Sequence, residues 1–138
     1  MKTNESKAEI KKKPEDTYAS AIEFWNILGA IKNKGISIDN LISLTKLREC
    51  LKNILKEYNE IHKALMEKFD IKPGEDERYN FSDHPEKAQI SKEIKELLAK
   101  EVSITPSKFL TAKELAACTE GASLDVIGVI FDKLLKES

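Results

Sequence analysis

The stretch LISLTKLRECLKNILKEYNEIHKALMEKF, residues 41–69, decides the fold of this 138-residue chain. Within it, apolar side chains recur at spacings of three and four residues, which is the period of an α-helix. The recurring positions are Leu44, Leu47, Leu51, Ile54, Tyr58, Ile61 and Leu65. The pattern predicts one long helix with a single apolar seam. That seam must be covered by the rest of the chain or by a second protein.

Two arrangements would cover the seam. Two long helices that pair antiparallel through residues 44–65 would form a twofold dimer, the commonest oligomer. Alternatively, helices at residues 18–34 and 123–136 would cover the seam within one chain. We favour the dimer, so the seven seam residues are the predicted subunit interface and the protein is expected to be a homo-oligomer.

The opposite face of the long helix is rich in charges of both signs. Glu49 with Lys52 and Lys56 with Glu60 have the spacing of helical ion pairs. A face of this composition is typical of a surface that contacts water. We therefore expect these side chains to pair with one another and to face solvent.

Shorter helices are predicted on both sides of the long one. Apolar residues at helical spacing follow Pro14, Pro85 and Ser123, and Thr111 and Glu114 have the spacing of a capping box. The last helix is apolar nearly all round, so we expect it to form the central post of the core or half of a subunit interface. The prediction is three or four shorter helices around the long central one.

Three short segments show the alternation of β-strands. They are residues 36–38, 79–81 and 102–104, which carry Ile-Ser-Ile, Tyr-Asn-Phe and Val-Ser-Ile. These segments predict a small two- or three-stranded ribbon against the helices. The predicted fold class is therefore mainly α, formally α+β.

The chain is expected to be one domain with an N-terminal extension. Residues 1–13 carry five lysines and two glutamates with little apolar content, which predicts a disordered basic arm. Residues 14–138 are long enough for a single helical domain with its own core. Within the arm, Lys11, Lys12 and Lys13 are candidates for contact with phosphate or an acidic partner, and the alternative is a solvated tail.

Composition limits the classes of function. The formal net charge is −1, so the whole chain lacks the strongly basic balance common in nucleic-acid-binding proteins. No run approaches the roughly twenty apolar residues of a membrane span, and no secretory signal is visible. We therefore expect an intracellular protein with no membrane partner.

Residues that carry chemistry are sparse and scattered. His62 and His84 are isolated, Cys50 and Cys118 are far apart, and the five glycines form no phosphate-binding cluster. A nucleophile would need a base and an orienting group beside it. The sequence therefore predicts a protein that is not an enzyme, with no catalytic residues, no cofactor and no metal.

An acidic loop with neighbouring aromatic residues is the main candidate for partner recognition. Glu75, Asp76 and Glu77 follow the end of the long helix, and Tyr79 and Phe81 come directly after them. Aromatic side chains are enriched at protein interfaces. We predict an exposed recognition patch at this loop.

The order of parts resembles a known group of proteins. A helix leads to Ile36-Ser37-Ile38, the long helix ends at Phe69-Asp70, and Tyr79-Asn80-Phe81 precedes another helix. That helix runs into residues 97–104, and the chain closes on residues 110–115 and a last helix. Over residues 20–136 this order resembles small uncharacterised proteins encoded by tailed bacteriophages and prophages. The resemblance implies a viral protein that works by binding, in the cytoplasm of a bacterial host or in the virion, and it carries no functional residues.

Three functional hypotheses follow. The first is a non-enzymatic phage-type protein that binds another protein, as a minor virion component or an assembly helper. The second is an anti-defence inhibitor that binds a host defence protein or its nucleic-acid or nucleotide site. The third is a nucleic-acid accessory protein that uses the lysine-rich arm.

Overall fold

The computed structural model describes residues 16–136, and helices account for 60% of it. Five helices lie in this range: α1 Tyr18–Leu28, α2 Ile38–Lys68, α3 Lys87–Leu98, α4 Ala112–Cys118 and α5 Leu124–Leu134. The long predicted helix is α2. Its 31 residues correspond to a length of about 46 Å at the rise of an α-helix.

The predicted ribbon is wrong, and with it the α+β class. Between residues 16 and 136 there is no sheet, and the 3% of strand lies in two isolated bridges, Thr17 with Glu101 and Leu110 with Leu135. In segment 36–38, Ser37 caps α2: its hydroxyl accepts a hydrogen bond from the Asn40 amide, so Ile38 is already helical. An N-cap residue has extended backbone angles, which explains why the sequence resembled a strand.

The other two segments also make their contacts outside a ribbon. The amide of Val102 donates to the carbonyl of Asp16, so segment 102–104 runs beside the start of α1. Tyr79 and Phe81 pack their rings, half-buried, against a hydrophobic cluster at the end of α2. Segments of three residues offer too few ladder hydrogen bonds to outweigh these contacts.

The first of two hydrophobic clusters, here called the first core, joins helices from both ends of the described chain. It packs the buried face of α1 and the N-terminal half of α2 against α4, α5 and Leu110. Its fully buried members include Ala21, Leu44, Leu47, Leu51, Leu115, Ile130 and Leu134. Burial of each leucine and isoleucine side chain contributes roughly 1.5–3 kcal/mol, so this core, with more buried members than the second, supplies more of the hydrophobic stabilisation.

The second core lies at the other end of α2. Met66, Phe69, Ile71 and Ile90 are its buried members, and Ile90 brings in α3. An ion pair of 2.7 Å between Lys68 and Glu93 also joins the two helices. Because α2 contributes to both cores, this one helix connects the two halves of the described chain.

The last helix is not the central post that its composition predicted. Ile130 and Leu134 of α5 are fully buried, but Leu124 is 85% exposed and Val129 40% exposed. The helix with the most helix neighbours is α1, which packs against α2, α3 and α5, and α5 covers the first core with one face. The apolar residues on its other face therefore remain at the surface.

The capping box at Thr111 is confirmed, and its glutamate has a second role. Glu114 and Thr111 exchange the two reciprocal hydrogen bonds of the motif. The same carboxylate accepts hydrogen bonds of 2.8 Å from the Ser37 amide and from the Asn40 side chain. Glu114 thereby fixes the N-terminus of α2 against the N-terminus of α4, where both helix dipoles favour a negative charge.

A candidate protein-binding surface

The structure places the seven seam residues in three environments. Leu44, Leu47 and Leu51 are 0% exposed within the first core, covered by α1 and α5 of the same chain. Ile54 packs on the first core and Leu65 on the second, both half-buried. Tyr58 is half-buried and Ile61 is 41% exposed. The first three residues therefore have no surface to offer a second copy while this fold persists.

An aromatic row crosses from α1 to the loop after α2. Tyr18 packs on Tyr58, Tyr58 on His62 and His62 on Tyr79, with ring centroids 5.6, 5.8 and 5.6 Å apart. The hydroxyl of Tyr18 donates a hydrogen bond to the Glu57 carboxylate. The row links the first core to the second through side chains that are not aliphatic.

The surroundings of this row shift the pKa values of three of its side chains. The hydrogen bond to Glu57, burial and the Glu57 charge together raise the pKa of Tyr18 to about 12. Burial raises the pKa of Tyr58 and lowers the pKa of His62. Near neutral pH the rings of Tyr18, Tyr58 and His62 are therefore uncharged, which suits packing between the two cores rather than proton transfer at that pH.

The predicted recognition patch separates into two parts. Glu75, Asp76 and Glu77 are exposed in a tight turn, where the Gly74 amide donates to the Arg78 carbonyl at 2.8 Å. Tyr79 and Phe81 are half-buried against the second core. The acidic residues are thus at the surface, whereas the two rings are largely used for packing. Lys11, Lys12 and Lys13 lie outside the described residues.

A groove with a volume of about 740 Å³ lies on the outer face of α2. Its apolar floor is formed by Trp25 of α1 and Leu55 of α2, both half-buried against the first core. Charged and amide side chains of α2 form its rim: Glu49, Lys52, Asn53, Lys56, Asn59, Glu60 and Lys63. We call this surface the Trp25 groove.

The charged residues of the Trp25 groove do not pair with one another. Within residues 16–136, the ion pairs within 4.0 Å are Lys34 with Glu120, Lys68 with Glu93 and Arg78 with Asp76. The expected pairs of Glu49 with Lys52 and of Lys56 with Glu60 are therefore not formed. These charges remain available to a second molecule.

The sequence does not reveal this surface. Trp25 lies at helical spacing among the apolar residues that follow Pro14, which predicts a core position, whereas the charges of α2 predict a face that contacts water. Trp25 does occupy one apolar face of α1, as its spacing from Tyr18, Ala21 and Leu28 indicated. What the sequence could not show is that this face packs beside the charged face of α2. A large aromatic side chain bordered by polar residues is the usual composition of an interface centre and its rim.

Comparisons with protein-family models, with curated proteins and with solved structures find no match to this chain. Within residues 16–136, no group of three or more His, Cys, Asp or Glu side chains could hold a metal ion. No helix in the same range is both long and apolar enough to cross a bilayer.

Proposed function

We propose that this chain is a non-enzymatic, phage-type protein that acts by binding protein, as a minor virion component or an assembly helper. The Trp25 groove is the observation that carries this proposal. It combines an aromatic floor, which supplies contact area, with charges that form no ion pair among residues 16–136 and give orientation to a complex.

Rigidity of the groove supports a binding role. Trp25 and Leu55 are held by the first core, and the rim residues all belong to one helix that both cores support. A surface on rigid elements loses little conformational entropy when a partner binds.

Site-specific photo-crosslinking tests the proposal. A photoreactive residue in place of Asn53, in the groove rim, is compared with one in place of Ser91, which is exposed on α3. The full chain is produced in a bacterial host together with phage structural proteins. We expect one defined protein adduct from position 53 and none from position 91. The adduct should then form again between purified components.

Adducts that are absent at position 53, or equal at both positions, would contradict the proposal. The two other hypotheses remain predictions. The inhibitor hypothesis concerns the acidic turn or the charged face of α2, and the accessory hypothesis concerns Lys11, Lys12 and Lys13 outside the described residues.

A further inference from the structure

We infer that the partner seated in the Trp25 groove is a second copy of this chain, with the two α2 helices antiparallel and the twofold axis at Lys56. This inference rests on the proposed function, because it takes the groove to be a protein-binding surface. It differs from the dimer predicted through the seam, which uses the opposite side of α2.

Charge complementarity carries the inference. Consider two identical α2 helices that cross antiparallel with the twofold axis at Lys56. A residue that precedes Lys56 on one copy then faces the residue that follows Lys56 by the same number of positions on the other copy. Glu49 and Lys63 lie seven residues either side, and Lys52 and Glu60 lie four residues either side. Each acidic residue of the groove therefore faces a lysine of the other copy. The two Lys56 side chains meet at the axis, where their flexible stems let the ammonium groups turn away from each other into solvent. The twofold symmetry forms each contact twice.

The uncharged rim residues are also placed symmetrically about Lys56. Asn53 and Asn59 lie three residues either side of Lys56. Their side chains can each donate and accept, so two asparagines facing each other can satisfy one another. A parallel pair would instead place Glu49 against Glu49 and Lys63 against Lys63, which like-charge repulsion disfavours.

The apolar floor completes the interface. Trp25 and Leu55 lie beside the charged stripe, and each copy would bring one such pair to the contact. Exposed ion pairs contribute little affinity, so the rings and lysine stems hold the dimer while the charges set its orientation. The interface buries α2 over residues 49–63, a length of about 21 Å.

Charge exchange on the full chain tests the arrangement, with the dissociation constant measured by sedimentation equilibrium. Lys52→Glu places a glutamate against the partner's Glu60 and should weaken association about tenfold or more. The double variant Lys52→Glu with Glu60→Lys restores opposite charges and should return to within about threefold of the unchanged chain. Lys46→Glu is the matched control, because Lys46 is exposed on α2 outside the groove. It should leave association unchanged.

Trp25 is the only tryptophan of the chain and supplies a second readout. Its emission should shift to shorter wavelength as the protein concentration rises, because the second copy removes its ring from water. Lys52→Glu should move this transition to higher concentration, and Lys46→Glu should not. A shift that Lys46→Glu changes equally would overturn the inference.

Three other outcomes decide between this inference and the proposed function. A chain that stays monomeric at all concentrations, while position 53 crosslinks to a different protein, overturns the second copy and leaves the proposed function standing. A chain that dimerises with the same constant in all three variants overturns the arrangement at Lys56. Absence of both association and crosslinks overturns both proposals.

Discussion

The carboxylate of Glu114 accepts hydrogen bonds from three residues, Ser37, Asn40 and Thr111, while its own residue is only 9% exposed. Burial would raise the pKa of this carboxyl. The hydrogen bonds outweigh burial and lower the pKa to about 2. The charged form is therefore part of the folded structure.

We predict that Glu114→Gln lowers the free energy of unfolding by about 2 kcal/mol, since a buried set of charge-assisted hydrogen bonds is weakened at two helix ends. Urea denaturation at neutral pH measures the loss. Glu120→Gln is the control, because the Glu120 side chain is 66% exposed and pairs only with exposed Lys34. It should leave the free energy of unfolding nearly unchanged, because exposed ion pairs contribute little.

The free energy of unfolding of Glu114→Gln and that of the unchanged chain should also depend differently on pH in the acid range. The pKa of Glu114 is lower in the folded chain than its ordinary value of 4.5, so its stabilising effect is fully present above pH 4.5 and is lost as the pH falls through about 2. The difference in unfolding free energy between Glu114→Gln and the unchanged chain should shrink over that range. A difference that is constant with pH would contradict this assignment.

Protonation of His62 should change the free energy of unfolding over a second range of pH. Burial lowers its pKa below the ordinary value of 6.5, so its contribution is present above pH 6.5 and is lost as the pH falls through the lower folded value. His62→Phe keeps a ring in the aromatic row but removes the titration. We expect unfolding free energy to fall between about pH 7 and pH 5 in the unchanged chain and to fall less in this variant. Parallel pH profiles would refute the role of His62.

At the scale of elements, two glycines give opposite predictions. Gly128 lies inside α5, and a Cβ placed there meets no atom within 4 Å. Gly128→Ala should therefore stabilise the chain by about 1 kcal/mol through helix propensity.

Gly35 has a φ of +71°, and a Cβ there would lie 2.5 Å from the Ala117 Cβ. Gly35→Ala should destabilise by at least about 1 kcal/mol. Thermal denaturation should show a higher melting temperature for Gly128→Ala and a lower one for Gly35→Ala than for the unchanged chain.

Helices were the elements that the sequence predicted well. The seam of α2, the capping box at Thr111 and the Ser123 cap of α5 each depend on neighbours within a few residues, and each is present. The strand segments failed because their outcome depends on distant groups. Whether Val102 pairs with another strand or with Asp16 is a tertiary question that three residues cannot answer.

The surface was harder to predict than the core. A repeat of leucines must be buried somewhere, so the burial of Leu44, Leu47 and Leu51 follows from their spacing. Which group buries them does not follow from the spacing; in the structure they lie in the first core of one chain. The Trp25 groove depends on the relative placement of α1 and α2, which the sequence of neither helix specifies.

At the scale of the whole molecule, the two cores should differ in stability. The first core joins four helices, whereas the second joins the end of α2, the loop after it and α3. Met66→Ala removes a fully buried side chain from the second core and should cost about 2–5 kcal/mol locally. Hydrogen exchange should then accelerate in α3 while α1 stays protected.

Leu47→Ala is the matched variant in the first core, where the side chain is also fully buried. It should accelerate exchange in α1, α2 and α5 together, because these helices share that core. Equal acceleration throughout the chain in both variants would mean that the two cores unfold as one unit.

The bond between Ser37 and Glu114 also bears on the order in which the protein assembles. These residues are 77 positions apart, so a chain that grows from its N-terminus completes all of α2 before Glu114 has been made. Until then the first turn of α2 lacks one of its acceptors, and closing so long a loop carries a large entropic cost. The start of α2 and the arrival of α4 should therefore form one late step of folding, after the local turns of each helix are in place.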